Sequence, residues 1–403
     1  MSLNQTASGE RVHIAFFGLR NAGKSSLVNA VTGQKLSLVS AVKGTTTDPV
    51  SKAMELLPVG PVVIIDTPGL DDVGELGQQR VARAKQILQK TDVAVLVIDS
   101  IKGKTPMDAE LEELFKARKL PYIIAFNKAD LLTEIPSADA NEIYVSAEQN
   151  QNINELKERI ASLAKAAESD RKLLSDLVNP LDTVVLVIPV DESAPKGRLI
   201  LAQQQTIRAL LDIGATVVAT RDSELKETLD ALKEKPKLVI TDSQVFGAVS
   251  AIVPRDVKLT SFSILFARYK GDLSTVVSGA AHLDKLRDGD RILISEGCTH
   301  HRQCKDIGTV KLPGWIRSYT GKAVEFDFTS GTEFPEDTQG YALVVHCGGC
   351  MLNEREMQSR IARCMENNTP ITNYGIAIAQ MHGILKRSVE PFPQVLRLLD
   401  DKA

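Results

Sequence analysis

Residues 11–33, RVHIAFFGLRNAGKSSLVNAVTG, constrain what this chain can fold into more than any other stretch. An apolar run leads into a glycine-bounded loop and then into a segment of helical apolar spacing. Within it Gly18, Gly23, Lys24 and Ser25 stand at G-x-x-x-x-G-K-S spacing. That pattern predicts a strand, a tight loop and a helix, the opening of an α/β fold. The backbone N–H groups of Asn21, Ala22, Gly23, Lys24, Ser25 and Ser26 would then wrap a phosphate at the helix N-terminus. Lys24 would reach the β- and γ-phosphates, and Ser25 a Mg2+ ion.

Further segments extend this reading. In VVIIDTPGL, Asp66 ends an apolar run where it can hold Mg2+ through water, and Gly69 sits where an amide can meet a γ-phosphate. In YIIAFNKAD, Asn127, Lys128 and Asp130 follow another apolar run. A carboxylate at Asp130 can accept from guanine N1 and N2, a donor pair that adenine lacks. IYVSAEQN supplies Ser146 and Ala147, and KGTTTDP supplies Thr46. In this order the segments resemble the motifs of GTPases. Asn127-Lys128-x-Asp130 resembles the guanine-specificity motif, Ser146-Ala147 the loop over guanine O6, and Thr46 the switch threonine that completes the Mg2+ shell. One such motif could be a chance turn, whereas four in GTPase order predict GTP binding and its hydrolysis to GDP and phosphate.

Two details bear on rate. Leu70 follows D-T-P-G where many small GTPases carry a water-orienting glutamine. Asn21 lies inside the phosphate loop, and GTTTD follows in the switch region. Both features resemble the tRNA-modification GTPase MnmE and its relatives, in which a potassium ion does the work of an arginine finger. The resemblance implies K+ held by Asn21 and switch-loop carbonyls, a catalytic set of Lys24, Asn21 and Thr46, and slow turnover. A loop-shaping role for Asn21 is the alternative.

A length of 403 residues suits two to three domains. A formal net charge of −3 and the lack of a Lys/Arg block argue against nucleic acid and acidic membranes as partners. MSLNQTASGE lacks the charged and apolar regions of a secretory signal, and the longest apolar runs, VVLVIPV and VAVLVID, are strand-length. A soluble, cytoplasmic chain is therefore expected.

The helical stretch NINELKERIASLAKAAESDRKLLSDL leads out of a first domain over 1–170, expected to have a P-loop GTPase fold with a mostly parallel sheet. TVVLVIPV, ATVVAT, KLVITDS and DVKLTSFS then alternate with helical segments, one of them ended by Gly214. This predicts a small parallel α/β unit over 171–264. It shows no constellation of His, Cys or paired carboxylates, so self-association as a homodimer is its expected role. Residues 265–403 repeat the alternation. The chain thus reads as three α/β domains.

All five cysteines fall in the last of these: Cys298, Cys304, Cys347, Cys350 and Cys364. An odd number without a secretory signal argues for metal binding or burial rather than a disulfide framework. SEGCTHHRQC sets Cys298, His300, His301 and Cys304 after the strand RILI, and YALVVHCGGC sets His346, Cys347 and Cys350 at the end of another. Both loops would leave strand C-termini, where open α/β sheets place sites. A helix beginning just after Cys350 would turn its positive end toward a bound anion. Zinc could be held by Cys-x-His and the distant Cys-x-x-Cys, although such staples usually serve core-poor domains. Cys347-Gly-Gly-Cys350 also suits an iron–sulfur cluster, whose sulfurs the glycine amides can reach. A redox Cys-x-x-Cys would leave Cys298 and His300 unexplained. Cys364 beside Ile361 reads as a buried apolar side chain, Cys304 as structural, and His13, His282, His301 and His382 as ordinary histidines.

A GTPase domain followed by Cys-x-His and, about 45 residues later, by His-Cys-x-x-Cys resembles the HydF family of FeFe-hydrogenase maturation GTPases over essentially the whole chain. The pairing of the two motif sets carries the resemblance. It implies that Cys298, Cys347 and Cys350 hold a 4Fe-4S cluster in a cluster-binding domain over 265–403. The fourth iron would be open or held by an exchangeable ligand, with His300 or His346 as candidates. It also implies a scaffold that holds the diiron precursor of the hydrogenase H-cluster, built by radical-SAM maturases, and delivers it to the FeFe-hydrogenase apoprotein. The alternatives are an RNA-directed GTPase resembling MnmE throughout and a GTPase with a structural zinc site. The acidic balance and the lack of a basic aromatic face weaken the first.

Overall fold

The computed structural model describes residues 8–34, 50–69, 84, 86–166, 172–190, 199–297, 307–331 and 333–400. Thr46, Cys298 and His300 lie outside the described residues, as do Leu70, His301 and Cys304. The chain forms two compact units, Met1–Asp170 and Arg171–Ala403.

The first unit is built on a six-stranded sheet of β1 (Val12–Phe17), β2 (Val50–Leu56), β3 (Gly60–Asp66), β4 (Val93–Asp99), β5 (Tyr122–Asn127) and β6 (Glu142–Tyr144), in the order β2-β3-β1-β4-β5-β6. Only β2 runs antiparallel, as an edge strand hairpinned to β3. Its flanking helices include α1 (Lys24–Thr32), α2 (Pro106–Ala117) and α3 (Ile153–Ala166). Ile14 and Phe16 of β1 pack on one face with Leu27 and Val28 of α1 and Leu156 and Ile160 of α3. Ala15 and Phe17 pack on the other with Leu111 and Phe115 of α2. Successive side chains of a strand point to opposite faces, so a strand covered on both must be apolar throughout, as HIAFF is. The start of α2 is set by Thr105, whose hydroxyl accepts from Asp108 N while the Asp108 carboxylate accepts from Thr105 N, with Pro106 in the first turn.

The second unit holds two parallel four-stranded sheets. One, ordered β10-β9-β7-β8, comprises β7 (Thr183–Val187), β8 (Thr216–Thr220), β9 (Leu238–Thr241) and β10 (Lys258–Ser261). The other, ordered β12-β11-β13-β14, comprises β11 (Arg291–Glu296), β12 (Glu325–Ser330), β13 (Leu343–His346) and β14 (Ile371–Asn373). Between the strands run α4 (Leu201–Ile213), α5 (Leu225–Ala231), α6 (Phe246–Ile252), α7 (Phe262–Lys270), α8 (Leu273–Ala280), α9 (Leu312–Thr320) and α10 (Glu354–Glu366). After β14 come α11 (Tyr374–Met381), α12 (Leu385–Val389) and α13 (Pro393–Asp400). Helix α4 stops at Gly214, which adopts φ 83°, the left-handed conformation that closes helices. The sequence YGIAIAQM is apolar nearly all round because α11 serves two cores. Ile376 and Ala379 join the core around the first sheet, and Ala377 and Ile378 join that of the second. Among the described residues no helix is long and apolar enough to cross a membrane.

Candidate functional site

In the first unit, side chains from three strand ends meet at the loop between β1 and α1. Gly23 precedes α1 with φ 88°, and a Cβ there would lie 2.2 Å from Asn127 Nδ2, so both conformation and space demand glycine. Asn21 is also left-handed, at φ 63°, a conformation that Asn tolerates better than most residues. Asn127, buried at the end of β5, joins the segments. Its Nδ2 donates to Ala22 O at 3.1 Å, and its Oδ1 accepts from Ala147 N at 3.1 Å. Ser146 is buried beside it and accepts from Gln149 N at 3.0 Å, which shapes the loop bearing Ala147.

Lys24 Nζ folds back onto the loop, donating to Gly18 O at 3.0 Å and Leu19 O at 2.7 Å, while Ser26 faces outward on the first turn of α1. Ser25 Oγ donates to Asp66 Oδ2 at 2.6 Å. Desolvation raises the Asp66 carboxyl above the usual carboxylate range, against the lowering pull of Ser25 and Lys24. Its Oδ1 is buried with no hydrogen-bond partner among the described residues. A buried carboxylate oxygen without a donor, next to a serine hydroxyl, fits the all-oxygen shell of Mg2+. Gly69 lies against the phosphate loop, where a Cβ would come within 2.9 Å of the Arg20 backbone. Asp130 sits in the 3-10 turn Ala129–Leu131, directly after Lys128 in the left-handed conformation. Lys128 Nζ lies 2.6 Å from Asp99 Oδ2. Burial works to raise the Asp99 carboxyl, yet the hydrogen bonds from Lys128 and Ile101 N hold it below its ordinary value.

In the second unit the ends of β11 and β13 come together. Strands β11 and β13 are parallel neighbours in a register that sets Ser295 against His346, so the chain after Glu296 and the chain after His346 leave the same sheet edge side by side. Cys347 N donates to Ser295 O at 2.9 Å. Its sulfur accepts from Gly297 N at 3.0 Å and from Gly349 N at 3.4 Å. A Cβ on Gly297 would lie 2.7 Å from the Leu352 side chain, so a residue with a side chain there would push the amide away from the sulfur. Gly297 directly precedes Cys298 in the sequence. Cys347 and Cys350 are half-buried. Among the described residues no three His, Cys, Asp or Glu side chains gather as metal ligands.

His346, a candidate either for the fourth ligand or for a donor behind the ligands, is held among protein groups. It is 0% exposed, with Nε2 2.9 Å from Arg360 Nη1 and Nδ1 2.8 Å from Cys347 O. A guanidinium only donates, so Nε2 is the acceptor and the ring proton sits on Nδ1, pointing at the Cys347 carbonyl. Burial, and then the Arg360 charge, push its pKa down to about 3, so the ring is neutral. Both nitrogens are engaged, and in this geometry neither offers a lone pair to a metal. Arg360 is itself buried, donating to Gly331 O at 2.6 Å and Glu356 Oε1 at 2.8 Å. His346 therefore orients the peptide of Cys347 instead of reaching past it.

Three residues outside the sequence-based set take part. Asp99 announces itself only as the acid ending an apolar strand, and Arg360 only as a partner of Glu356 four positions earlier. Lys270, beneath the cysteine loop, has no sequence signal. Cys364 is buried, as its helical spacing predicts, and desolvation pushes its thiol up to about 12.

Comparison with known proteins divides the chain in three. Residues 13–128 match the 50S ribosome-binding GTPase family. Residues 173–271 match the hydrogen maturase F dimerization domain, and residues 274–391 the hydrogen maturase F tetramerization domain. Among curated proteins, the tRNA modification GTPase MnmE of Francisella tularensis subsp. novicida is 35% identical over 160 residues, 38% of this chain and 35% of that protein. The MnmE of Bordetella petrii is 33% identical over 156 residues, 38% of this chain and 34% of that protein. The chain thus spans about a third of the length of these relatives. Among solved structures, a probable GTP-binding protein engB is 25% identical with a TM-score of 0.32, covering 38% of this chain and all (100%) of that one. Aquifex aeolicus Era bound to GDP and aluminium fluoride is 22% identical with a TM-score of 0.34, covering 52% of this chain and 92% of that one.

Proposed function

The chain belongs to the hydrogen maturase F family, and we propose that it binds and slowly hydrolyses GTP while serving as a scaffold that holds a 4Fe-4S cluster and delivers the diiron precursor of the H-cluster to FeFe-hydrogenase apoprotein. Radical-SAM maturases would supply that precursor. The matched dimerization and tetramerization domains support self-association through the second unit. The MnmE relatives match only the GTPase portion, which supports a shared nucleotide chemistry rather than a shared RNA client.

In the nucleotide site, Lys24 would leave Gly18 O and Leu19 O for the β- and γ-phosphates, and the amides of residues 21–26 would cradle them. Ser25 and Asp66, with Thr46 from outside the described residues, would hold Mg2+, which neutralises charge on the phosphates. Asp130 would accept from guanine N1 and N2, and Lys128, fixed by Asp99, would lie along the base. Asn127 and Ala147 would close the pocket over the base edge, with Gly69 N at the γ-phosphate. Asn21, in its left-handed conformation, would present its side chain to K+ beside the phosphates.

One observation carries the cluster reading: the amide of Gly297, one residue before Cys298, donates to the Cys347 sulfur, three residues before Cys350. The amides of Gly297 and Gly349 converge on a sulfur that would be a thiolate in such a site, and N–H···S contacts of this kind stabilise cluster thiolates. With His346 committed to Arg360 and Cys347 O, His300 is the remaining candidate for a fourth ligand. A cluster held by three thiolates supplies one open iron where a bridging anion can attach. The test is anaerobic reconstitution with iron and sulfide of wild type and Cys350→Ala, followed by iron, sulfide and zinc analysis and EPR of the reduced protein. About four irons and four sulfides per chain, with a signal altered in the variant, support the reading. A tightly bound zinc and no reconstitutable cluster refute it and leave a GTPase with a structural metal.

A further inference from the structure

Lys270 is the last residue of α7, within the part of the chain that matches the dimerization domain, and is only 2% exposed. Its ammonium donates to Cys350 O at 3.2 Å and to Leu352 O at 2.9 Å, both in the loop after β13. The contact is reciprocal: Gln358, in α10 just beyond that loop, donates through Nε2 to Lys270 O at 3.2 Å and Gly271 O at 3.0 Å. Taking an ammonium out of water is expensive, and an aliphatic side chain would fill the same space without that penalty. The charge and its donors are instead directed at the backbone of the loop that bears Cys347 and Cys350.

Resting on the cluster reading above, we infer that Lys270 is a positioning residue for that site. It pins the Cys350 peptide to the end of α7, which fixes where the Cys350 sulfur stands relative to Cys347. It also sets a positive charge beside a thiolate-rich centre that becomes more negative on reduction. In a buried setting such a charge favours the reduced form over the oxidised one, so Lys270 holds the reduction potential higher than the thiolates alone would. Lys270 lies in the part of the chain that matches the dimerization domain and Cys350 in the part that matches the tetramerization domain, so the same contact ties the cluster loop to the dimerization part.

The test uses the full chain. Wild type, Lys270→Met and Lys270→Gln are reconstituted anaerobically with iron and sulfide. Each is read by iron content, by EPR during a potentiometric titration, and by the rate of iron loss to a chelator. Both variants are expected to take up the cluster, with midpoint potentials shifted to more negative values and with faster iron loss. Lys270→Gln keeps a donor for one of the two carbonyls, so its iron loss should fall between wild type and Lys270→Met, while its potential matches Lys270→Met. Should Lys270→Met not fold, the glutamine variant alone carries the comparison. A loaded wild type whose potential and iron loss are matched by the variants overturns the role of Lys270 and leaves the cluster reading standing. A wild type that takes up no cluster removes both together.

Discussion

Replacing Asn127 with alanine is the sharpest probe of the nucleotide site. The substitution removes the donor to Ala22 O and the acceptor from Ala147 N, each at 3.1 Å, and leaves two largely buried backbone groups without partners. Each unsatisfied group costs about 1–3 kcal/mol, so the loss is about 2–4 kcal/mol once partial relaxation is allowed for. The loss divides between stability and binding. At about 1.4 kcal/mol per tenfold, even half of it on binding weakens guanine nucleotide affinity about five- to thirtyfold. The other half lowers the melting temperature of a unit this size by a few degrees, since about 1 kcal/mol moves it by roughly 2–4 °C. Titration with a fluorescent guanine nucleotide measures the first share and differential scanning fluorimetry the second. An affinity within about threefold of wild type, together with an unchanged melting temperature, would show that Asn127 does not hold the phosphate loop to the Ala147 loop.

Other outcomes follow from the same geometry. Asp130→Asn exchanges an acceptor for a donor, so guanine nucleotides should bind at least about tenfold more weakly and xanthine nucleotides better, with the melting temperature unchanged; equal GDP and XDP ratios to wild type in competition titrations would contradict this. Arg360→Met strips the donors from His346 Nε2, Gly331 O and Glu356, leaving a buried carboxylate uncompensated, which should destabilise the second unit by about 3–5 kcal/mol in urea unfolding. In the folded protein at pH 8, iodoacetamide should label Cys347 and Cys350 but spare Cys364, whose thiol is buried and pushed up to about 12, as peptide mass spectrometry would read. Glu112, tied to Lys104, Lys116 and Tyr122, is held at about 2 against its ordinary 4.5. A depressed carboxyl stabilises the fold above pH 4.5 and loses that contribution as pH falls toward 2, so Glu112→Gln should flatten the acid limb of thermal stability over that window.

The parallel α/β class was legible because its signals are local. Strands covered on both faces must read as unbroken apolar runs, and HIAFF, VVII, VAVLVI and TVVLV do. Helix α4 ends at Gly214 because only a residue without Cβ closes it cheaply in the left-handed conformation, and that too is written in the sequence. The β2 strand was not legible: VSKAMEL alternates weakly, carries two charges, and is a strand only because β3 offers it an edge. The packing of both sheets of the second unit around α11 was equally hidden. Its apolar character is local, but which sheet each side of the helix covers is decided by segments distant from it in the chain.

The candidate sites show the same boundary at the level of single side chains. The described residues of the nucleotide site follow the C-terminal ends of β1, β3, β5 and β6, parallel strands of one sheet, so motif order along the chain already implies their convergence in space. For the cysteines, the parallel register of β11 and β13 does the same for Gly297 and Cys347. His346 is where this inference stops working. Its spacing before Cys347 and Cys350 suits a ligand, and nothing in VVHCGGC says otherwise. The answer lies with Arg360, a residue of a later helix whose guanidinium can only donate and therefore claims the lone pair that a metal would need. Lys270 is the converse case. A lysine that ends a helix in ILFARYK would ordinarily be solvated, yet its ammonium turns inward to donate to the carbonyls of Cys350 and Leu352. Ligand spacing thus identifies which atoms could bind a metal, while the atoms that already occupy or orient those ligands are set by long-range packing.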